Sequence, residues 1–138
     1  MQHVAILTGN FLDKILSGEK TIETRWYKSR RAPFRSVSSG DTIYLKQSGG
    51  PVIARCAVVK SLFFEDLDRD RIADLLRRYG KEACIGEEMT EALAGKRYCT
   101  LIWLGEVTRL DAPFDIDKTG FGNMCAWIRV EDVDRIKR

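Results

Sequence analysis

Hydrophobic residues recur along the chain with two different periods, and the switches between them outline the elements. The opening run HVAIL reads as a short strand, and TGNF turns the chain out of it. Phe11, Leu12, Ile15 and Leu16 then follow helical spacing and share one face. Asn10 stands where a helix is capped, and Gly18 stands at the stop, where glycine takes positive φ without a steric cost. EKTIETRWY mixes β-branched and charged residues, as a half-exposed strand does. Strict alternation sends Lys20, Ile22, Thr24 and Trp26 to one face and Thr21, Glu23 and Arg25 to the other. Residues 28–39, KSRRAPFRSVSS, keep no period and read as a basic connection. Gly40-Asp41 turns into the strand TIYLKQ, Ser48-Gly49-Gly50-Pro51 signals a hairpin, and VIARCAVVKSLFF returns as the partner strand.

The period changes again in the second half. Leu67, Ile72, Leu75, Leu76 and Tyr79 predict a helix that Gly80 ends, and a second short helix is expected over Glu87–Leu93, before Gly95. RYCTLIWLGEVTRL resumes as a long strand with a break or bulge near Gly105. TGFGN is a loop, MCAWI a short strand and VEDVDRIK a polar terminal turn. No repeat, low-complexity tract or linker divides residues 1–138, so a single domain is expected. The order of elements predicts an α+β fold: a small antiparallel β-barrel with flanking helices, since closure removes edge strands.

Composition narrows the setting. Hydrophobic residues make up 44% of the chain, enough for one core, yet no run approaches the roughly 20 apolar residues of a membrane span. The start lacks the basic lead and apolar run of a signal peptide, and a cytoplasmic location is expected. Cys56, Cys84, Cys99 and Cys125 have no metal-ligand spacing and read as small hydrophobes of a reducing compartment, and His3 reads as a structural or surface residue. No metal and no cofactor is expected, and a monomer is the default. The formal net charge of +3 is too small to prove a nucleic-acid partner. Its placement says more: Lys14, Lys20, Arg25, Lys28, Arg30, Arg31 and Arg35 face only Asp13, Glu19 and Glu23 within the first 35 residues. That segment is either a solvated surface or an anion-binding one.

The chemistry-bearing stretch is GEKTIETR, which sets Lys20, Glu23 and Arg25 just after a helix end. Three roles are open to it. Buried, the three side chains form a hydrogen-bonded network that fixes the strand. In a cleft, Arg25 clamps a phosphate or base edge and Lys20 adds a point charge. A lysine with a lowered pKa can also act as base or nucleophile. Trp26, Tyr27 or Phe34 can stack a base nearby, and Lys28, Arg30, Arg31 and Arg35 can extend the cationic patch. TGFGN lacks the strand, spacing and lysine of a phosphate loop.

FLDKILSGEKTIETR, followed by a loop and GDTIYL, resembles the ASCH domain family, whose hallmark is G-x-K-x-x-E-x-R and whose fold is a PUA-like β-barrel. Gly18, Lys20, Glu23 and Arg25 match the hallmark, and Gly40-Asp41 stands at the family's Gly-Asp. The resemblance implies RNA binding, coactivation linked to transcription or RNA processing, or enzymatic action on RNA or modified nucleosides. The expected partner is therefore RNA, a nucleotide or a nucleoside, bound by Lys20, Arg25, Trp26, Lys28, Arg30 and Arg31. One branch of similar size hydrolyses 4-acetylcytidine with a lysine, a threonine and a glutamate. Its lysine matches Lys20 and its glutamate falls near Glu87 in IGEEMTEAL, but its threonine aligns with Glu23, with Thr21 and Thr24 nearby but out of register. The alternative function implied is hydrolysis of an acylated nucleoside or related amide, with Lys20 as base and Glu23 or Glu87 orienting water.

Overall fold

A computed structural model describes residues 1–122 and 124–138. Six strands form one mixed sheet: β1 (Gln2–Leu7), β2 (Ile22–Tyr27), β3 (Thr42–Gln47), β4 (Val52–Phe64), β5 (Tyr98–Phe114) and β6 (Trp127–Val130). Three helices flank it: α1 (Phe11–Ser17), α2 (Arg69–Ala83) and the single turn α3 (Thr90–Leu93). The strand order is β2-β5-β4-β3-β1-β6, curled into a half-barrel, which agrees with a small PUA-like α+β fold.

Two features differ from the expected antiparallel closed barrel. β1 runs parallel to β3, His3 lying beside Ile43 and Ala5 beside Leu45. A parallel pair needs a long crossover, and α1, β2 and the basic segment together supply one. β2 and β6 also remain the two ends of the sheet, so no ladder of backbone hydrogen bonds closes the barrel between them.

α1 forms where its spacing predicts, with Leu12 and Ile15 buried, and Gly18 ends it at φ 85°, its N–H donating to Ile15 O. Asn10 holds the cap position but makes no side-chain cap bond. The hairpin at Ser48–Pro51 joins β3 to β4, and the β4–β5 ladder shifts register beside Gly105. The last strand starts at Trp127, so Met124, Cys125 and Ala126 of the expected MCAWI run precede it. The basic segment is not a free loop, because its apolar residues Pro33, Phe34 and Val37 are buried and Phe34 packs edge-on against Phe63 and Tyr98.

α2 runs through Gly80, against the expectation that this glycine stops it. The helix begins at Asp68, whose carboxylate accepts from Arg71 N, and ends with Cys84 in the left-handed region at φ 59°. Gly80 serves close approach instead: Ile85 N–H donates back to Gly80 O, and a methyl group at Gly80 would collide with the Ile85 carbonyl oxygen. Alanine is the better helix former by about 1 kcal/mol. Gly80→Ala is nevertheless expected to destabilise the fold by about 1–3 kcal/mol, because backbone cannot yield as a side-chain tip does. Urea unfolding checks the sign.

Candidate functional site

Lys20, Glu23 and Arg25 meet at the seam between β2 and the β1–β6 end of the sheet. Lys20 is 1% exposed, and its Nζ donates to Ala83 O at 2.6 Å. The ammonium lies 3.4 Å from Glu23 Oε1 and 4.9 Å from the centroid of the Phe11 ring. Strict alternation places Lys20 and Glu23 on opposite faces, but Lys20 precedes the first strand residue, so the rule does not reach it. Glu23 Oε1 also accepts from Thr24 N, while Oε2 accepts from Arg25 Nε at 3.2 Å and Nη2 at 2.9 Å.

Arg25 then reaches across the seam. Nη1 donates to Ala126 O, just before β6, and Nη2 to Ile6 O in β1, each at 3.2 Å. One Nη1–H is left over, which suffices for a single hydrogen bond to a ligand but not for the bidentate phosphate clamp considered from sequence. The guanidinium also sits 5.2 Å from the centre of the Trp127 ring.

Trp127 is held in turn. Its Nε1–H donates to Nδ1 of fully buried His3 at 3.0 Å. An indole nitrogen only donates, so His3 carries its proton on Nε2 and donates it to Asp41 Oδ2 at 2.8 Å. His3 is therefore structural, and it links the Gly40-Asp41 turn to the motif by way of Trp127. These partners were not legible in sequence, because His3 and Trp127 are distant in the chain.

Burial sets the acid–base character of the cluster. Desolvation pulls the Lys20 pKa below that of an ordinary lysine, although Glu23 opposes the shift. Desolvation alone pushes the Glu23 carboxyl up, but Arg25 and Lys20 outweigh it and hold the group below its usual range. Cys56 is pushed up to about 12 by burial, as suits a thiol that serves as packing.

A cavity of about 510 Å³ opens over this cluster. Lys20, Glu23 and Arg25 line it, with Thr24, Trp26 and Tyr27 from β2 and Phe11 from α1. Trp26 is half-buried, and its Nε1–H donates to the Thr24 hydroxyl. The opposite wall comes from Cys84, Ile85, Glu88, Met89, Leu93 and Lys96.

The remaining sequence candidates divide. Glu87 does not line this cavity; it is exposed, and its carboxylate lies 3.3 Å from Arg77 Nε. Its neighbour Glu88 lines the cavity, as Glu23 does. Both open the same 3-10 turn (Glu87–Met89), so the sequence offered no signal to choose between them. Arg30 and Arg35 both pair with Glu65, whereas Lys28 and Arg31 are exposed without an ion pair among the described residues. Phe34 is taken by the core. No cluster of three or more His, Cys, Asp or Glu side chains suited to a metal occurs among the described residues, and no helix among them is long and apolar enough to cross a membrane.

Two outcomes follow from this geometry. Arg25→Lys keeps the charge but cannot bridge Glu23, Ile6 and Ala126 together, so a loss of about 3–5 kcal/mol is expected in denaturant unfolding. His3 is the only histidine in the chain. Burial lowers its folded pKa below the reference 6.5, with the Asp41 hydrogen bond opposing. Below pH 6.5 and down to that folded pKa, the unfolded chain binds more protons, so stability falls as pH falls through this window. Unfolding free energies measured between pH 7.5 and about 5 should show this slope, and His3→Gln should flatten it.

No model of a known protein family and no curated protein matches the chain. Among solved structures, it is similar to the ASCH protein of Zymomonas mobilis at 21% identity, over 94% of this chain and 87% of that chain, with a TM-score of 0.69. A point mutant of that protein is similar at 22% identity, over 97% of this chain and 91% of that one, with a TM-score of 0.71. The N-terminal domain of Staphylothermus marinus McrB is similar at 12% identity, over 97% and 90% of the two chains, with a TM-score of 0.57. At such identities the likeness speaks for the backbone: this chain has the fold of the ASCH protein over nearly its whole length.

Proposed function

We propose that the domain binds RNA or a nucleotide and takes one nucleobase into the cavity above Lys20. The observation that carries this reading is the cavity itself. Its volume of about 510 Å³ lies within the usual range for small-molecule sites. Trp26 and Tyr27 line it, and its floor offers Lys20 N–H and the spare Arg25 N–H. Stacking with a few fixed donors is how unstacked bases are held. Resemblance of the Gly18–Arg25 motif to the ASCH hallmark supports the same reading.

A second reading is hydrolysis of an acylated nucleoside or related amide with Lys20 as base. The lowered Lys20 pKa favours it. The neighbouring Glu23 carboxylate weighs against it, because it lies 3.4 Å from Nζ and favours the ammonium over the free amine. Glu87 lies outside the cavity beside Arg77, which weighs against it as the partner acid and favours Glu88, which lines the cavity.

Anisotropy titrations with labelled single-stranded oligoribonucleotides, at low and physiological salt, test the binding reading. Trp26→Ala is expected to weaken binding by about tenfold or more, the scale of one lost base stack. Lys20→Met, checked for folding by circular dichroism, is expected to weaken it as well. Absence of binding at low salt, or binding indifferent to both substitutions, overturns the reading. Chromatography of 4-acetylcytidine incubated with the protein tests the second: turnover should vanish in Lys20→Met and survive in Glu87→Gln.

A further inference from the structure

We propose that Lys28, Arg31 and Lys96 form a phosphate-binding rim at the cavity mouth, so that the ligand is a phosphorylated nucleotide with its base inside and its phosphate outside. The inference rests on the base-binding reading of the cavity and specifies which ligand the cavity takes. Lys96 lines the cavity together with Tyr27. Arg31 stacks on that same tyrosine, its guanidinium 5.0 Å from the ring centroid. Lys28 lies over Gly95, with Cε 3.6 Å from the position a β-carbon would take there, and so borders Lys96 along the chain. Of the three cations, Lys96 lines the cavity, while Arg31 lies over its wall residue Tyr27 and Lys28 lies beside Gly95, the neighbour of Lys96.

Their ion pairing separates them from the other cations of the basic segment. Arg30 and Arg35 share Glu65, and Arg97 donates to the carbonyls of Leu67, Ala94 and Lys96. Among the described residues, none of Lys28, Arg31 and Lys96 is in an ion pair. Of the two acids that line the cavity, Glu23 is paired with Lys20 and Arg25, and Glu88 has its carboxylate folded back against Gly86. Like charges gathered without a counterion gain most from an arriving anion. A phosphate presented at the rim carries that charge, and Tyr27 and Trp26 line the cavity together with Lys96. The structure thereby assigns the electrostatic role to half of the loop's four cations and to one lysine, Lys96, that lies far outside the basic segment.

Calorimetric titration of the four ribonucleosides and their 3′- and 5′-monophosphates tests the assignment, with a 5′-phosphorylated hexaribonucleotide as a further arm. A monophosphate is expected to bind about tenfold tighter than its nucleoside at low salt, with the gain shrinking as salt rises. The triple variant K28Q/R31Q/K96Q should abolish the gain of monophosphate over nucleoside, while R30Q/R35Q should retain it. The hexamer should show the same gain if RNA supplies the phosphate, and a gain confined to the monophosphates identifies a free nucleotide. Nucleoside binding without any phosphate gain, or a gain that survives the triple variant, overturns the rim alone. Binding of none of these ligands overturns the cavity reading and the rim with it.

Discussion

The half-barrel depends on one side chain that crosses its open seam. The sheet ends at β2 on one side and β6 on the other, and no backbone ladder joins them. Arg25 supplies the missing connection, with hydrogen bonds to Ala126 O and Ile6 O across the gap and two to Glu23 beside it. A side chain can do this where a strand cannot, because it spans the gap without filling it. What stays unfilled is the cavity, so the seam's fastening and the site's floor are the same atoms.

Such an arrangement carries an electrostatic demand. A carboxylate and two cations buried together cost several kcal/mol of desolvation per ion unless each lone pair and proton finds a partner. Most do here: Glu23 accepts from Thr24 N as well as from Arg25, and Lys20 donates to a carbonyl, which leaves one Arg25 N–H and part of the Lys20 ammonium open toward the cavity. Trp127 lies against the Arg25 guanidinium, fixed through His3 to Asp41 at the head of β3. The motif's Gly-Asp turn is thus coupled to its Lys-Glu-Arg cluster by a chain of hydrogen bonds and one cation–π contact rather than by proximity in sequence.

Much of this was legible in the residues and some was not. The strand at Ile22–Tyr27, the hairpin at Ser48–Pro51, the bulge near Gly105 and the glycine stop of α1 all follow from local patterning, which is what period and turn chemistry report. The parallel pairing of β1 with β3 was hidden, because neither strand's own pattern records the direction of its neighbour. Gly80 misled for a related reason: a glycine that admits Ile85's backbone and a glycine that ends a helix look alike in one dimension. The Lys20–Glu23–Arg25 cluster was legible as a candidate, but not the division of labour within it, since Arg25's partners Ile6 and Ala126 come from distant segments. The opposite wall was hidden for the same reason, and the choice of Glu88 over Glu87 turns on the rotation of a single 3-10 turn.

The bond from Lys20 to Ala83 ties the site to the helix that packs behind it. Ala83 is the last residue of α2, where backbone carbonyls lack helical partners and the helix dipole presents its negative end. A cation placed there is favoured by the carbonyl, by the dipole and by Glu23, and opposed by its own desolvation, whose effect is the lowered pKa. An electronegative ligand atom entering the cavity adds to the favourable side, because it brings back part of the solvation that burial removed. Such an atom would therefore favour the ammonium form of Lys20, and with it the contact to Ala83 at the end of α2. A general base needs the reverse, a ligand that favours the free amine, and the carbonyl, dipole and carboxylate around Lys20 all act against that form.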